Sequence, residues 1–151
     1  MSREESKQKV ISRNRKARHD YTIENTFEVG IVLHGTEVKS IRRGKADIKD
    51  AYAKVIDGEL FLIGLHIAAY DQASHFNHEP LRQRKLLEKK RAILKLSTKI
   101  NERGYTIVPL ELYIRDGYVK VLLGLGKGRK QYDRRRQIKE KDDKRQARNE
   151  H

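Results

Sequence analysis

The sequence predicts a mainly β fold, and three observations carry that prediction. Two Asp-Gly pairs each sit between apolar-rich flanks, a long Thr/Ile/Phe/Val-rich run lies upstream of both, and apolar residues recur at helical spacing in only two places. Along the chain, residues 1 to about 20 are polar and basic, with one apolar step at Val10-Ile11, and residues 1–9 read as a flexible N-terminus. Tyr21 to Leu33 reads as a long strand in which Gly30 could mark a bulge or bend. Thr36 to Arg43 predicts a short helix that Thr36 can cap, with Val38 and Ile41 on one side. Ala51 to Ile56, Asp57-Gly58 and Glu59 to Ile63 form the first expected hairpin, because a type I′ turn needs positive φ at both central residues.

A longer helix is expected from Pro80 to Arg103. Leu86, Ile93, Leu96 and Ile100 repeat at helical spacing, Pro80 suits a first turn, and Gly104 suits a C-terminal cap. A break near Glu88 would divide it into a short and a longer helix. The second hairpin runs from Leu110 to Arg115, turns at Asp116-Gly117, and returns from Tyr118 to Leu123. In the return strand Val119, Val121 and Leu123 share one face, while Tyr118, Lys120 and Leu122 share the other. From Lys127 onward the chain is almost wholly charged, with Tyr132 and Ile138 its only sizeable apolar residues. Such a segment is expected to be disordered alone. Short antiparallel strands with one inserted helix suggest a closed or nearly closed β-barrel. An oligonucleotide-binding (OB) type fits the pattern and the charge, and a mixed α+β sandwich fits the periodicity as well.

The 151 residues suit one domain with tails, and Lys plus Arg exceed Asp plus Glu by 35 to 21, for a net charge of +14. A polyanionic partner would relieve the self-repulsion; nucleic acid is the commonest, an anionic membrane surface the second. The absence of cysteine rules out disulfides, thiolate metal sites and thiol nucleophiles. The polar start, Met1 to Lys9, has no apolar signal region, and no apolar run nears the ~20 residues of a membrane helix, so a cytoplasmic location is expected.

Little in the sequence suggests an enzyme. His75 and His78 have the spacing of two ligands on a helical face, with Glu79 nearby, but no third ligand follows at a recognisable spacing. Gly124-Leu125-Gly126-Lys127-Gly128 follows a strand yet leads into Arg129 to Arg136, so it reads as a flexible exit from the barrel rather than a phosphate cradle. No carboxylate pair declares itself, and neither metal nor cofactor is expected. The basic residues say more. They cluster at Arg13, Arg15, Lys16 and Arg18; at Lys39, Arg42, Arg43 and Lys45; at Arg82, Arg84, Lys85, Lys89, Lys90 and Arg91; and in the tail. Phosphate contacts supply affinity, whereas RNA specificity comes from shape and from bases stacked on apolar faces. Tyr21, Phe27, Tyr52, Phe61, Tyr70 and Phe76 are candidate platforms, most of them expected in the core. In the tail, Asp133 could cap a helix starting at Arg134, and Glu140 with Lys144 has helical pairing distance, so a coil that folds along RNA is expected.

Six segments together resemble the SsrA-binding protein family over nearly the whole chain. They are Asn14-Arg15-Lys16-Ala17-Arg18-His19-Asp20-Tyr21; Phe27-Glu28-Val29-Gly30; Gly35 to Arg42; Arg84-Lys85-Leu86-Leu87; Asn101 to Thr106; and Gly126 to Asp133. In this order and spacing they are highly specific. The resemblance implies an OB-like closed antiparallel barrel of about six strands with about three flanking helices over residues 1–126, and a basic tail over 127–151. It implies binding to the tRNA-like part of transfer-messenger RNA (tmRNA) and delivery of that RNA to stalled bacterial 70S ribosomes for trans-translation. The elongation factor that carries aminoacyl-tRNA is a further expected partner, and the protein is expected to be monomeric and to act without a membrane.

Carried over by position, Asn14, Glu28, Leu87 and Lys120 match residues implicated in gripping the RNA. Arg15, Lys16, Arg18, Lys39, Arg42, Arg84, Lys85 and Lys127 are expected to add cationic contacts. A glutamate in that set fits only if it accepts hydrogen bonds from base amino groups or a 2′-hydroxyl, or orients a basic neighbour. Gly128, Lys130, Tyr132, Asp133, Arg134 and Arg135 match the segment that enters the decoding centre and the empty message channel, with Tyr132 placed to stack on a ribosomal base. Glu88 stands where the family has an apolar residue, Arg134 where Lys is common, and Tyr132 where His is frequent.

Overall fold

A computed structural model of the chain describes residues 8–73, 76–102 and 104–128. The elements in order are β1 (Gln8–Arg13), α1 (Ala17–Asp20), β2 (Tyr21–Ile31), α2 (Gly35–Arg42), β3 (Ala46–Asp47), β4 (Tyr52–Ile56), β5 (Glu59–Ile63), β6 (His66–Ile67), β7 (Arg84–Leu87), α3 (Lys90–Asn101), β8 (Tyr105–Arg115) and β9 (Tyr118–Gly128). Seven strands make one antiparallel sheet in the order β1-β8-β9-β2-β7-β5-β4, and β3 pairs with β6 in a separate two-stranded ribbon.

The mainly β class and, among the described residues, three helices agree with expectation, but the barrel is not closed. β1 and β4 are the two free edges of the large sheet, and the described residues contain nine strands rather than six. Both Asp-Gly turns form as expected, with φ of 50° and 78° at Asp57 and Gly58 and of 52° and 85° at Asp116 and Gly117. β2 follows the expected run, but its irregularity falls between Ile23 and Asn25 and not at Gly30.

The largest departure is in the stretch expected to be helical. Pro80 lies in a turn and Arg84–Leu87 is a strand, hydrogen-bonded between β2 and β5; only Lys90–Asn101 is helical. Arg84 and Leu86 point inward while Lys85 and Leu87 point out, so period-two burial prevails over the local spacing. Domain limits shift too: Gln8 and Lys9 already belong to β1, and β9 runs to Gly128, beyond the expected boundary at 126. The Gly124–Gly128 run is therefore strand, not a flexible exit. At Gly124 a Cβ would come within 2.9 Å of Ile23, so glycine serves close packing there.

One face of the sheet, with α2 and α3 against it, forms the core. Val29, Leu60, Leu62, Leu86, Leu112, Val121 and Leu123 from the strands meet Ile41, Ile93 and Leu96 from the helices. α2 begins with a carboxylate cap, the His34 N–H donating to Glu37 Oε1 at 2.7 Å; Thr36 instead bonds His78 Nδ1 at 2.9 Å. Glu37 continues inward. Its Oε2 accepts from Arg84 Nε at 2.6 Å and its Oε1 from Arg82 Nη2 at 2.7 Å, while Arg84 Nη1 donates to Leu65 O at 2.6 Å. Burial opposes charge on Glu37, but the bonds from Arg82, the His34 N–H and Arg84 outweigh it and hold its carboxyl below the usual range.

Candidate nucleic-acid interface

The second face of the large sheet bears four of the expected RNA-binding residues, Glu28, Lys85, Leu87 and Lys120. Cross-strand partners share a face, so register alone places them. Lys120 of β9 lies directly opposite Gly30 of β2 on one side and Tyr113 of β8 on the other. Leu87 of β7 lies opposite Gly30 from the far side. A single row, Tyr113–Lys120–Gly30–Leu87, thus crosses four strands, and Glu28 stands one step along β2 on the same face. Leu87 is 52% exposed, an apolar step open to solvent on this face. A Cβ at Gly30 would meet Leu87 at 3.3 Å, so the glycine lets Leu87 lie close against the sheet. Lys85 lies further along β7 and pairs with Glu59 at 3.3 Å. The Lys120 ammonium lies 5.9 Å from the centre of the Tyr118 ring.

Glu28 is tied at both oxygens. Oε2 accepts from the Tyr113 hydroxyl, and Oε1 accepts from Arg115 Nη2 at 2.5 Å. Both donors come from β8 and reach across β9, the strand of Lys120, to meet it. Burial, the Glu28 hydrogen bond and the Glu28 charge all push the Tyr113 phenol up, so it remains a protonated donor. Sequence reading passed over Tyr113 and Arg115. The two-residue turn at Asp116-Gly117 was the available signal, since it pairs Arg115 with Tyr118 and Tyr113 with Lys120.

Other expected residues lie apart from this row. Asn14 donates from Nδ2 to Pro109 O at 3.1 Å and from its backbone N–H to Leu110 O, which fixes the turn ahead of α1. Arg15, Lys16 and Arg18 are exposed on that turn and helix, around the buried Ala17. Lys39 and Arg42 are exposed on α2, whose Ile41 enters the core, so they lie on the opposite side of the sheet. Lys39 and Arg43 both flank the Tyr70 ring, at 5.4 and 4.9 Å. Lys127 is at the far end of β9, roughly 23 Å along the strand from Lys120, with its ammonium 4.6 Å from the Tyr105 ring. Gly128 pairs with Tyr21; Lys130, Tyr132, Asp133, Arg134 and Arg135 lie outside the described residues, as does the expected tail helix.

Two expectations change. Arg84 is fully buried and its guanidinium is spent on Glu37 and on the carbonyls of Leu65, Glu79 and Pro80, so it is a core residue and not an RNA contact. Of the six aromatics named as platforms, only Phe27 and Tyr21 pack against the core, both half-buried; Phe61 and Tyr70 are half-buried, and Tyr52 and Phe76 are exposed. Among the described residues the buried aromatic is Tyr113. His78 uses both ring nitrogens, towards Thr36 and towards Ile67 O at 2.8 Å, and offers neither to a metal. Among the described residues no helix is long and apolar enough to cross a membrane.

An open antiparallel sheet with lysine, arginine and an exposed leucine on its solvent face defines a class of domain suited to polyanions. Comparison with known proteins narrows the class. The sequence model of the SmpB protein family matches residues 11–151. SsrA-binding proteins of Staphylococcus aureus strains Newman and USA300 are each 58% identical over 132 residues, covering 87% of this chain and 86% of theirs. A chain of a solved structure described as "tmRNA-SmpB: a journey to the center of the bacterial ribosome" superposes with a TM-score of 0.63 and 50% identity, over 77% of this chain and 82% of that one. The chain belongs to the SmpB family.

Proposed function

We propose that this protein binds the tRNA-like part of tmRNA and brings that RNA to stalled bacterial ribosomes for trans-translation, as a non-catalytic chaperone in the cytoplasm. The row Tyr113–Lys120–Gly30–Leu87, with Glu28 beside it, is the observation that carries the reading. It gathers three family-matched RNA residues from β2, β7 and β9 onto one solvent-facing surface. Lys120 supplies charge for phosphate and Leu87 an apolar step for an unstacked base. Asn14 contributes by holding the basic turn of Arg15, Lys16 and Arg18 in place. Lys39, Arg42 and Lys127 serve a second RNA surface away from that row. Residues from Gly128 through Arg135 enter the decoding centre and message channel, with Tyr132 stacking on a ribosomal base.

Capture of RNA from a bacterial lysate by the full chain, followed by sequencing, tests this directly. Strong enrichment of tmRNA is expected; recovery of bulk RNA without it would overturn the reading. Cutting after Gly128, the last residue of β9, should leave tmRNA binding intact and abolish tagging on stalled ribosomes. Tagging by the shortened chain would remove the tail from the mechanism.

A further inference from the structure

We infer that Arg115 is an RNA-phosphate contact of this surface, and that Glu28 and Tyr113 are positioning residues that aim its guanidinium. The inference rests on the reading of this sheet face as the RNA surface. A carboxylate turned towards a polyanion is repelled, so Glu28 needs a role other than touching phosphate. The geometry supplies one. Both oxygens of Glu28 already accept hydrogen bonds, one from Tyr113 and one from Arg115. Tyr113 is 4% exposed, so the phenol that anchors the group is itself fixed by packing.

Exposure increases stepwise along the relay, from Tyr113 to the Glu28 side chain at 22% and the Arg115 side chain at 40%. The cation is therefore the outermost member. A guanidinium carries five N–H donors in a rigid fork. The Arg115 guanidinium directs Nη2 at Glu28 and makes no other hydrogen bond among the described residues, which leaves donors open to solvent. A fork held on one edge by a carboxylate presents its other edge to a phosphate with little rotamer entropy left to lose. Lys120, on the strand between Glu28 and Arg115, adds the uncompensated positive charge that this neutral pair lacks. Two residues without an assigned role, Tyr113 and Arg115, thus explain why a glutamate belongs in an RNA-binding set.

The test measures tmRNA affinity of the full chain against salt for wild type, Lys120→Ala, Arg115→Ala, Glu28→Ala and the double variant, with thermal melts alongside. Arg115→Ala should bind about tenfold or more weakly, and its salt slope should fall by about 0.7–0.9, one phosphate's worth. Glu28→Ala should also weaken binding, and the double variant should bind no worse than Arg115→Ala alone. Arg115→Lys should recover the slope but not the full affinity, because an ammonium keeps the charge and loses the fork. If Lys120→Ala weakens binding while Arg115→Ala keeps wild-type affinity and slope, this inference fails and the surface reading stands. An unchanged slope with lost affinity also sinks it, because Arg115 would then only orient Glu28 towards the RNA. If neither lysine nor arginine matters, the surface reading itself fails. Should Arg115→Ala not fold, Arg115→Gln, which keeps part of the stem and an N–H donor but no charge, carries the same slope measurement.

Discussion

Two glutamate–arginine pairs sit on opposite faces of one sheet. On the inner face Glu37 and Arg84 are both 0% exposed and bonded at 2.6 Å, and Arg84 is further tied to backbone carbonyls. On the outer face Glu28 and Arg115 have the same chemistry and a similar distance, 2.5 Å, but their side chains are 22% and 40% exposed. The inner pair has its hydrogen bonds completed by protein, which locks α2, β7 and the chain around Leu65 together. The outer pair is completed on the carboxylate side alone. Burial, and not the identity of the pair, separates a residue that holds the fold from one that waits for a ligand.

That contrast breaks first at Arg84. Arg84→Ala should leave the Glu37 charge buried with one of its three partners gone and destabilise the fold by about 3–5 kcal/mol, read as a lower denaturant midpoint at unchanged slope. A loss below about 1 kcal/mol, the range of exposed pairs, would show that the inner pair is not the lock described. Next in size is the pH dependence of the same pair. The Glu37 carboxyl is held below its ordinary value near 4.5 in the folded state. Its stabilisation is therefore complete above that ordinary value and is lost as pH falls through the folded value. Glu37→Gln should lower stability at neutral pH and flatten the decline on the acid side. An acid limb identical in both proteins would assign the decline to other carboxylates.

Legibility in the sequence follows the range of the interactions. Both hairpins could be read because an Asp-Gly turn is a local device whose two positive φ values need no help from the rest of the chain. Arg84–Leu87 could not, because Leu86 suits a helix as well as a strand, and the choice is made by β2 and β5, far away in sequence. Arg84 was misjudged for a related reason: a cation in a basic run reads as surface until Glu37, 47 residues away, takes it inward. Barrel closure, expected by resemblance, depends on whether the edges β1 and β4 meet, and no local pattern encodes that. On the outer face, family motifs point to Glu28, Leu87 and Lys120, but their convergence needs the register around Gly30. Tyr113 was within reach, since the Asp116-Gly117 turn alone sets it beside Lys120. Its bond to Glu28 spans 85 residues and was not.

The outer relay gives the smaller effects and the finer test of the comparison. Tyr113→Phe keeps the buried ring and removes only the hydroxyl. Glu28 is partly open to water, which can replace the lost donor, so the loss should be about 1 kcal/mol. Arg115→Ala should cost less still, about 0–1 kcal/mol, because an exposed pair gains little over hydration. Melting temperatures of the two variants therefore fall close to wild type and far above Arg84→Ala. If Arg115→Ala melted as low as Arg84→Ala, the outer arginine would be a second structural lock, and its open donors would mean nothing for RNA. A small loss of stability joined to a large loss of binding and a shallower salt slope is the combination that a phosphate-facing guanidinium produces.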